Sequence, residues 1–463
     1  MSGYTRRGFM SAAVVASGAG IGGGAARGEG NGMLTEIETM PNVCAHEHWG
    51  SLQAVGHTDV GFVADTLCGA SGAGVGLFDL LLCPYLHGFL ACGGLDSAGL
   101  ARESGFPDVL AMAREAPDRL TEALLPHLAH QRSVGTLMCL TLGMRELYDL
   151  DLDGLSPANT GRFQEAVRAH YHDMHAWYRL AMHRAHLAGV IRPVELSWMM
   201  EDQNAAAAAK ERAFTRPILR IDGFIEAYRK PSERLEFCKR ATGIEPRDAA
   251  SWRELLARAF QSADERGSVG IKQLQAYTRD LDFAVRDDSE IDFSPDAKET
   301  RPFQDFIVHE CLKLANDRGW PFQIHIGAAN LPNSGPLPLV PLFHRYPRVK
   351  FVLIHTWPYF DECAFLAHFH PNVYIDTCWL AVLSPSFLER ALQTYIGFLP
   401  SHKLMLSHDA TSIEMAVGSA RLNRTLLAKT LASQVADGRV TVEQALSLSR
   451  AVLHGNARDV YAL

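Results

Sequence analysis

Short apolar runs alternate along the chain with longer stretches of helical periodicity, a pattern typical of a parallel sheet covered by helices. Several runs are continuously apolar and end in polar residues, as in KFVLIHT and KLMLSHDA, which indicates strands buried on both faces. Eight runs are predicted as strands: Val43–Trp49, Thr136–Leu142, Arg216–Gly223, Ser268–Ala276, Pro321–Gly327, Lys350–Thr356, Asn372–Thr377 and Lys403–Ala410. Three helices are predicted between them: Phe163–Leu187, Trp252–Glu265 and Phe303–Arg318.

The number of strands predicts an α/β fold, a (β/α)8 TIM barrel, with a doubly wound sheet as the alternative. Strands from both halves are needed to complete one sheet, so residues 33–463 are interpreted as one barrel domain. The long gap Gly50–Arg132 is rich in Gly and Leu and contains Pro84 and Pro107. We expect this gap to form a helical insertion over the mouth of the barrel, between the first two strands.

The first 32 residues do not have the pattern of a folded domain. Thr5-Arg6-Arg7-Gly8-Phe9-Met10 is followed by a weakly apolar run, Ser11–Ala26, which resembles a twin-arginine export signal. The alternative is a disordered, glycine-rich tail. The export interpretation predicts a periplasmic or secreted protein that meets the twin-arginine translocase. No later stretch has 18 uninterrupted apolar residues, so no membrane span is predicted.

Charge and cysteine content narrow the class of protein. A formal net charge of −8 argues against nucleic acid or an anionic membrane surface as the partner. The nine cysteines are scattered without a CxxC pair, which disfavours a disulfide framework or a cysteine-based zinc site. A glycine-rich dinucleotide motif is also missing after the early strands, which disfavours a nicotinamide-dependent oxidoreductase. A small-molecule substrate and a homo-oligomer are expected.

Polar residues gather where predicted strands end, which is where barrel enzymes build their active sites. His46 and His48 are two apart in Cys44-Ala45-His46-Glu47-His48-Trp49, so both would face the same side of a strand. The fifth, sixth and eighth strands end in His325, His355 and Asp409. Each residue alone is compatible with a hydrogen-bonded strand end. Together, imidazoles and a carboxylate predict a metal site.

These residues resemble the amidohydrolase superfamily, and more narrowly its amidohydrolase-related branch, which includes decarboxylases and is related to uronate isomerases. The resemblance rests on His46-x-His48, PFQIHIG, VKFVLIHTWPYF, HKLMLSHDA and the terminal HGNAR. It implies that His46, His48, His325 and Asp409 hold a divalent metal, zinc first and manganese or iron(II) as alternatives. It also implies that His355 polarises the substrate or orients the attacking water.

Two features complicate the resemblance. The family's usual Ser-Asp before the last ligand is Ser407-His408-Asp409 here, one residue longer. Lys272 on the fourth strand resembles the lysine that is carbamylated in some amidohydrolases and bridges two metals. If Lys272 is so modified, His325 and His355 would serve a second ion.

The resemblance implies hydrolysis as the leading chemistry, with Asp409 taking a proton from the water and passing it to the leaving group. His355 or an unmodified Lys272 would stabilise the oxyanion. The expected substrate is a small, acidic amide, ester or lactone. A decarboxylase or uronate-isomerase-like activity on the same barrel is the alternative, and a non-catalytic periplasmic binding protein is the alternative from another class.

Candidate substrate contacts complete the prediction. Arg145 and Arg279 lie just beyond the predicted second and fourth strands and, with Lys272, could bind a carboxylate. Tyr277 on the fourth strand is a further candidate substrate contact, and Trp49, Trp357, Tyr359 and Trp379 near strand ends are candidates for the pocket wall. The alternatives are salt bridges for the arginines and barrel-to-helix packing for the aromatic rings.

Overall fold

The computed structural model describes residues 25–49, 75–195, 209–228 and 231–463. Within these ranges, eight parallel strands form one sheet in sequential order. Their bounds are β1 Asn42–Cys44, β2 Leu187–Val194, β3 Thr215–Arg220, β4 Ile271–Gln273, β5 Phe322–Ile326, β6 Phe351–His355, β7 Val373–Asp376 and β8 Leu404–Met405. The sequential order with all-parallel pairing is that of a TIM barrel.

The two edge strands meet just beyond their carboxyl ends. The Asp409 amide donates to the His46 carbonyl oxygen at 3.0 Å, and the His48 amide donates to the Ala410 carbonyl oxygen at 3.2 Å. These bonds connect the segments that follow β8 and β1, so the sheet curls back on itself. The predicted (β/α)8 architecture is confirmed.

Helices lie between the strands. Helix α1 is Ala25–Thr39, before β1. Among the described residues, eight helices lie between β1 and β2: α2 Leu77–Leu81, α3 Pro84–Cys92, α4 Ser97–Glu103, α5 Val109–Glu115, α6 Pro117–His130, α7 Gly135–Tyr148, α8 Thr160–Tyr171 and α9 Met174–Arg184. The others are α10 Asp222–Ile225, α11 Pro231–Thr242, α12 Ala249–Glu265, α13 Arg301–Arg318, α14 Val340–Arg345, α15 Phe360–Phe369, α16 Leu380–Leu383, α17 Pro385–Tyr395, α18 Ile413–Ala436, α19 Val442–Arg450 and α20 Asn456–Tyr461.

Alternation along the strands separates the barrel interior from the surrounding helices. Residues of distant strands, including Val43, Ile191, Ile218 and Val352, pack together in one small buried cluster, which therefore lies inside the barrel. Neighbouring strand residues belong instead to the large cluster shared with the helices. In β5 the apolar Phe322, Ile324 and Ile326 belong to that outer cluster, so Gln323 and His325 face the interior.

The predicted second strand is wrong. Thr136–Leu142 lies in helix α7, and the second strand is Leu187–Val194, starting where the predicted helix Phe163–Leu187 ends. Helix α7 is buried on most of its surface against α18, so its sequence lacks the polar face that marks a helix. The two helix axes are very close: a Cβ on Gly143 would lie 1.8 Å from the Glu414 carbonyl oxygen.

The predicted insertion extends further than Arg132, because helices continue from α2 to α9 before β2 begins at Leu187. The first part of the insertion, residues 50–74, lies outside the described residues, as do residues 1–24 with the twin-arginine motif. Helix α1 begins at Ala25 and buries Met33 and Ile37. Within the described ranges, no helix is long and apolar enough to cross a membrane.

Candidate metal centre

The backbone at two strand ends turns side chains towards the barrel mouth. His355 follows Ile354, which packs inside the barrel, so strict alternation would direct His355 outwards. Its φ of 71° breaks the alternation, and Asp409 has a φ of 60°. Left-handed backbone at residues other than glycine costs about 1–3 kcal/mol and is concentrated at functional sites. The surrounding fold therefore maintains an unfavourable conformation at two of the predicted site residues.

Asp409 is the centre of the arrangement. Its Oδ1 lies 3.2 Å from His48 Nε2 and accepts a hydrogen bond from the Tyr85 hydroxyl at 2.8 Å. Its Oδ2 lies 3.4 Å from His355 Nδ1 and 4.0 Å from His46 Nε2. All of these groups except the partly buried Tyr85 are almost completely shielded from solvent.

The imidazole rings contact one another around this carboxylate. The His325 and His355 ring centroids are 4.2 Å apart, those of His46 and His355 are 5.6 Å apart, and those of His46 and His48 are 5.0 Å apart. The structure thus brings together all five residues that were predicted as metal ligands or as the catalytic imidazole. One possible ligand atom from each of His46, His355 and Asp409 lies within 4.8 Å of the other two.

Two ring nitrogens in this cluster fit a metal particularly well. His46 Nε2 and His325 Nε2 are buried, and neither has a hydrogen-bond partner among the described residues. The other nitrogen of His46, Nδ1, lies 2.8 Å from Gln323 Oε1. An amide oxygen only accepts hydrogen bonds, so Nδ1 carries the proton and Nε2 presents a lone pair. A buried lone pair without a donor is costly, and a cation would satisfy it.

Burial favours the neutral form of the imidazoles in this cluster. Desolvation lowers the pKa of His46 and His325 well below the usual range for histidine, and the charge of Lys272 acts in the same direction. The pKa of His355 falls to about 3 for the same two reasons. Neutral imidazoles are the form that binds metals. Burial also raises the pKa of the Asp409 carboxyl, although the hydrogen bond from Tyr85 and the charge of Lys272 oppose this effect.

Lys272 lies in β4 and is buried beside Arg220 of β3, its neighbour across the sheet. Burial and the charge of Arg220 lower the pKa of Lys272, while Asp222 and Asp409 raise it. Arg220 donates to Glu195 Oε1 at 3.0 Å and to Asp222 Oδ2 at 3.3 Å. A cationic pair therefore lies at the barrel mouth. Carbamylation of Lys272 stays a prediction.

The predicted substrate arginines lie elsewhere. Arg145 does not follow a strand: it lies in the last turn of α7, is exposed, and pairs with Asp151 at 2.8 Å. Its predicted position at the barrel mouth is wrong, because the run Thr136–Leu142 is helical. Arg279 is buried and donates to Asp305 Oδ1 at 2.8 Å, in agreement with the salt-bridge alternative.

Of the predicted aromatic residues, Tyr277 contacts the histidines. Its ring centroid lies 4.9 Å from that of His325. Trp357 instead stacks on Phe387 with 4.7 Å between ring centroids. Trp379, another of the predicted aromatic residues, does lie near the site: its ring centroid is 5.3 Å from that of His355 and 6.3 Å from that of His325. Its buried indole Nε1 has no hydrogen-bond partner among the described residues.

Sequence reasoning missed Tyr85. This residue lies in α3, inside the helical insertion, and its hydroxyl reaches the central carboxylate while its ring contacts Trp379 at 5.1 Å. Neither apolar periodicity nor the family resemblance, which does not cover the insertion, indicates a site residue there. Only the packing of the insertion over the barrel brings Tyr85 to Asp409.

Comparison with known proteins agrees with this geometry. The family model for amidohydrolases matches residues 150–463. Protein fluG of Emericella nidulans is 30% identical over 221 residues, which are 42% of this chain and 26% of that protein. The chain therefore spans about a quarter of the length of this curated relative.

Solved structures share the fold over nearly the whole chain. Glucuronate isomerase from Caulobacter crescentus has a TM-score of 0.73 at 18% identity and covers 95% of each chain. Uronate isomerase from Thermotoga maritima has a TM-score of 0.72 at 14% identity, covering 94% of this chain and 97% of that one. A proposed metal-dependent hydrolase from Lactobacillus casei has a TM-score of 0.62 at 16% identity, covering 93% and 97%. With more than half of its length matched by the family model, this chain belongs to the amidohydrolase family of TIM-barrel enzymes.

Proposed function

We propose that the protein is a metal-dependent hydrolase that cleaves a small, acidic amide, ester or lactone. The observation that carries this proposal is the convergence of three buried imidazoles on the Asp409 carboxylate, with a fourth, His325, packed on His355, and with ring nitrogens of His46 and His325 that have no hydrogen-bond partner among the described residues. In the proposal His46, His48, His325 and Asp409 hold one divalent ion, zinc first. Such an ion supplies a Lewis acid and lowers the pKa of water towards about 7.

The two oxygens of Asp409 have different surroundings, which suits proton transfer. Oδ1 is occupied by the Tyr85 hydroxyl and His48, whereas Oδ2 faces His46 and His355 at longer distances. In our proposal Oδ2 accepts the proton of the attacking water and returns it to the leaving group. His355 stabilises the negative charge that develops on the substrate oxygen, and Tyr85 holds Asp409 in place.

The preference for an acidic substrate is supported by the cations at the barrel mouth. Arg220 is already engaged by Glu195 and Asp222, which leaves Lys272 as the cation that interacts with Asp409. A substrate carboxylate beside Lys272 would offset the cost of burying the ammonium group. Tyr277 and Trp379 would form the walls of the pocket next to His325 and His355.

An isomerase acting on a uronate is the second candidate. It is favoured by the similarity of the fold, over 95% and 94% of this chain, to a glucuronate isomerase and a uronate isomerase. The same carboxylate would then move a proton between neighbouring carbons of the sugar instead of taking it from water. Lys272 would bind the substrate carboxylate in both cases.

Metal content tests the proposed centre. The purified full-length protein is analysed by elemental mass spectrometry beside a His46→Ala/His48→Ala double variant. One equivalent of zinc in the wild type and less than about a tenth in the variant are expected, because two ligands are removed together. Two equivalents would favour the alternative with a carbamylated Lys272. Metal-free wild-type protein after growth in zinc-supplemented medium would contradict the proposal.

The reaction is tested with two substrate panels. One contains small acidic amides, esters and lactones, and the other contains hexuronates. Turnover of the first panel, lost when a chelator removes zinc, restored by added zinc and abolished in Asp409→Asn, is expected for the hydrolase. Turnover of the hexuronate panel alone would replace the hydrolase with the isomerase.

We also propose export by the twin-arginine route, on the basis of Arg6-Arg7 and the weakly apolar run that follows. The test is cell fractionation of the wild type and an Arg6→Lys/Arg7→Lys variant in a Gram-negative host. The wild type is expected in the periplasm and the variant in the cytoplasm. Equal distribution of the two proteins would contradict the proposal.

A further inference from the structure

The middle residues of the two ligand motifs have no role in the proposed chemistry. Glu47 stands between His46 and His48, and His408 stands directly before Asp409. Both are fully buried, at 0% and 1% exposure. His408 is also the residue that makes this motif one longer than the Ser-Asp of the resembling family. Two buried, ionisable side chains beside the ligands require an explanation of their own.

The side chains of Glu47 and His408 are hydrogen-bonded to each other. His408 Nδ1 donates to Glu47 Oε1 at 2.8 Å, and the Cys44 thiol donates to the same oxygen at 3.2 Å. The other oxygen, Oε2, accepts from the Ala410 amide at 2.8 Å. The His408 amide in turn donates to Cys44 Sγ at 3.2 Å. One carboxylate thus collects three donors, two of them from the segment that carries Asp409.

The position of this cluster in the fold indicates its role. It crosses the junction of β1 and β8, where the strands are only three and two residues long. Three of the four predicted ligands flank it: His46 and His48 on the β1 side and Asp409 on the β8 side. Short strands make few ladder hydrogen bonds, so side-chain contacts across the junction have to fix the relative position of these ligands.

We propose that Glu47 and His408 are positioning residues that fasten the β1 and β8 segments together and thereby set the metal affinity of the site. This inference rests on the proposed metal centre. Residues that hydrogen-bond around a metal site typically contribute 10- to 100-fold to metal affinity, because ligand atoms must be held to within a few tenths of an ångström.

The cluster could instead be a second metal site, since one ligand atom from each of Cys44, Glu47 and His408 lies within 4.8 Å of the others. The hydrogen bonds argue against this. Both Glu47 oxygens and His408 Nδ1 already have partners, and the thiol is engaged as a donor. His46 Nε2 and His325 Nε2 have no such partner. Of the two clusters, the one around Asp409 therefore contains the ring nitrogens that have no hydrogen-bond partner among the described residues.

The experiment measures zinc affinity of the full-length protein by competition with a chromophoric chelator. His408→Leu and Glu47→Gln are expected to weaken zinc binding 10- to 100-fold. His408→Asn is the conservative variant, because its amide nitrogen replaces Nδ1 as a donor to Glu47, and its affinity is expected within about threefold of the wild type. Thermal unfolding checks that each variant folds.

Asn42→Ala is the matched control at the same junction. Asn42 is the first residue of β1, and its Nδ2 donates to the carbonyl oxygens of Leu406, at 3.2 Å, and Leu453, at 2.7 Å. Its loss is expected to lower the unfolding temperature while leaving zinc affinity within about threefold of the wild type.

The outcomes separate the two proposals. Wild-type zinc affinity in His408→Leu and Glu47→Gln, or equal loss in Asn42→Ala, overturns the positioning role and leaves the metal centre intact. A second zinc equivalent that disappears in Glu47→Gln also overturns it, in favour of a second metal site. Absence of zinc from the wild type overturns the metal centre and the positioning role together.

Discussion

The half of the barrel from β5 to β8 and the helical insertion between β1 and β2 contribute to the same carboxylate in different ways. His325 is the last residue but one of β5, His355 ends β6, and Asp409 follows β8. Each of these residues follows an apolar run and was recognisable in the sequence. The insertion contributes Tyr85, 324 positions from Asp409 in the chain, and nothing in its local pattern marks this residue. Residues at the ends of repeated strands can be recognised from the sequence pattern, whereas Tyr85 on the inserted segment cannot.

The insertion is also firmly attached to the barrel. Glu414 at the start of α18 accepts hydrogen bonds from the hydroxyls of Tyr148 and Tyr171, at 2.7 and 3.0 Å, and from the indole of Trp177 at 3.3 Å. These three donors lie in α7, α8 and α9, and Glu414 is fully buried. The helix that follows Asp409 is thus anchored in the insertion, which makes the insertion a structural part of the site.

The largest effect on activity is expected at Asp409, the carboxylate that His355 of the barrel and Tyr85 of the insertion both contact. Asp409→Asn is expected to lower kcat/KM at least about 1,000-fold, because the amide can neither accept the water proton nor bind metal as a carboxylate does. Activity on the substrate found by the panels is measured at saturating zinc. A loss of less than about tenfold would contradict the central role of Asp409.

The next effect concerns the attachment of the insertion. Gly143→Ala places a Cβ 1.8 Å from the Glu414 carbonyl oxygen, a backbone atom that cannot move without shifting α18. We expect a loss of about 3 kcal/mol in unfolding free energy. The control is Gly88→Ala in α3, where no atom lies within 4 Å of the added methyl group, and slight stabilisation is expected. Chemical denaturation measures both, and equal stabilities would show that the two helices can separate.

Tyr85→Phe measures what the insertion contributes to chemistry. The substitution removes one hydrogen bond to Asp409 and preserves the ring against Trp379. We expect kcat/KM to fall about tenfold, the equivalent of about 1.4 kcal/mol, with zinc content unchanged. An unchanged rate would show that the insertion covers the barrel without contributing to the reaction through Tyr85.

The smallest effect is a pH dependence within the insertion. Burial raises the pKa of the Asp79 carboxyl to about 6, against 3.8 for a free aspartate side chain. The folded state then binds the proton more tightly than the unfolded state, so Asp79 lowers stability as pH rises from about 4 to 6 and causes no further change above that. Asp79→Asn, which retains the acceptor for the Gly76 amide, is expected to be more stable than the wild type by about 1 kcal/mol at pH 7.5.

The control for this prediction is the same pair of proteins at about pH 3, where the carboxyl is mostly protonated in both the folded and the unfolded states and the stabilities should converge. Unfolding midpoints recorded by fluorescence at the two pH values provide the comparison. A stability difference that does not depend on pH would show that Asp79 does not titrate in this range.

Local sequence determined the barrel and most of its candidate ligands. Apolar runs of six to nine residues with abrupt polar ends arise because parallel strands are buried on both faces and open at one end to the site. His46, His48, His325 and Asp409 could therefore be assigned to strand ends without coordinates. The same reasoning failed at Thr136–Leu142, since a helix buried on nearly all sides has the same continuous apolar pattern as a buried strand.

Tertiary structure decided where these side chains point and which contacts hold them in place. The left-handed backbone at His355 and Asp409 is maintained by packing that no single segment contains. The hydroxyl of Tyr85 and the bond between Glu47 and His408 join residues more than 300 positions apart. Such contacts depend on how separate segments meet in space, whereas hydrophobic periodicity records only whether each segment is buried. The sequence by itself therefore determined which residues are available to the site, and the fold decided how they are held.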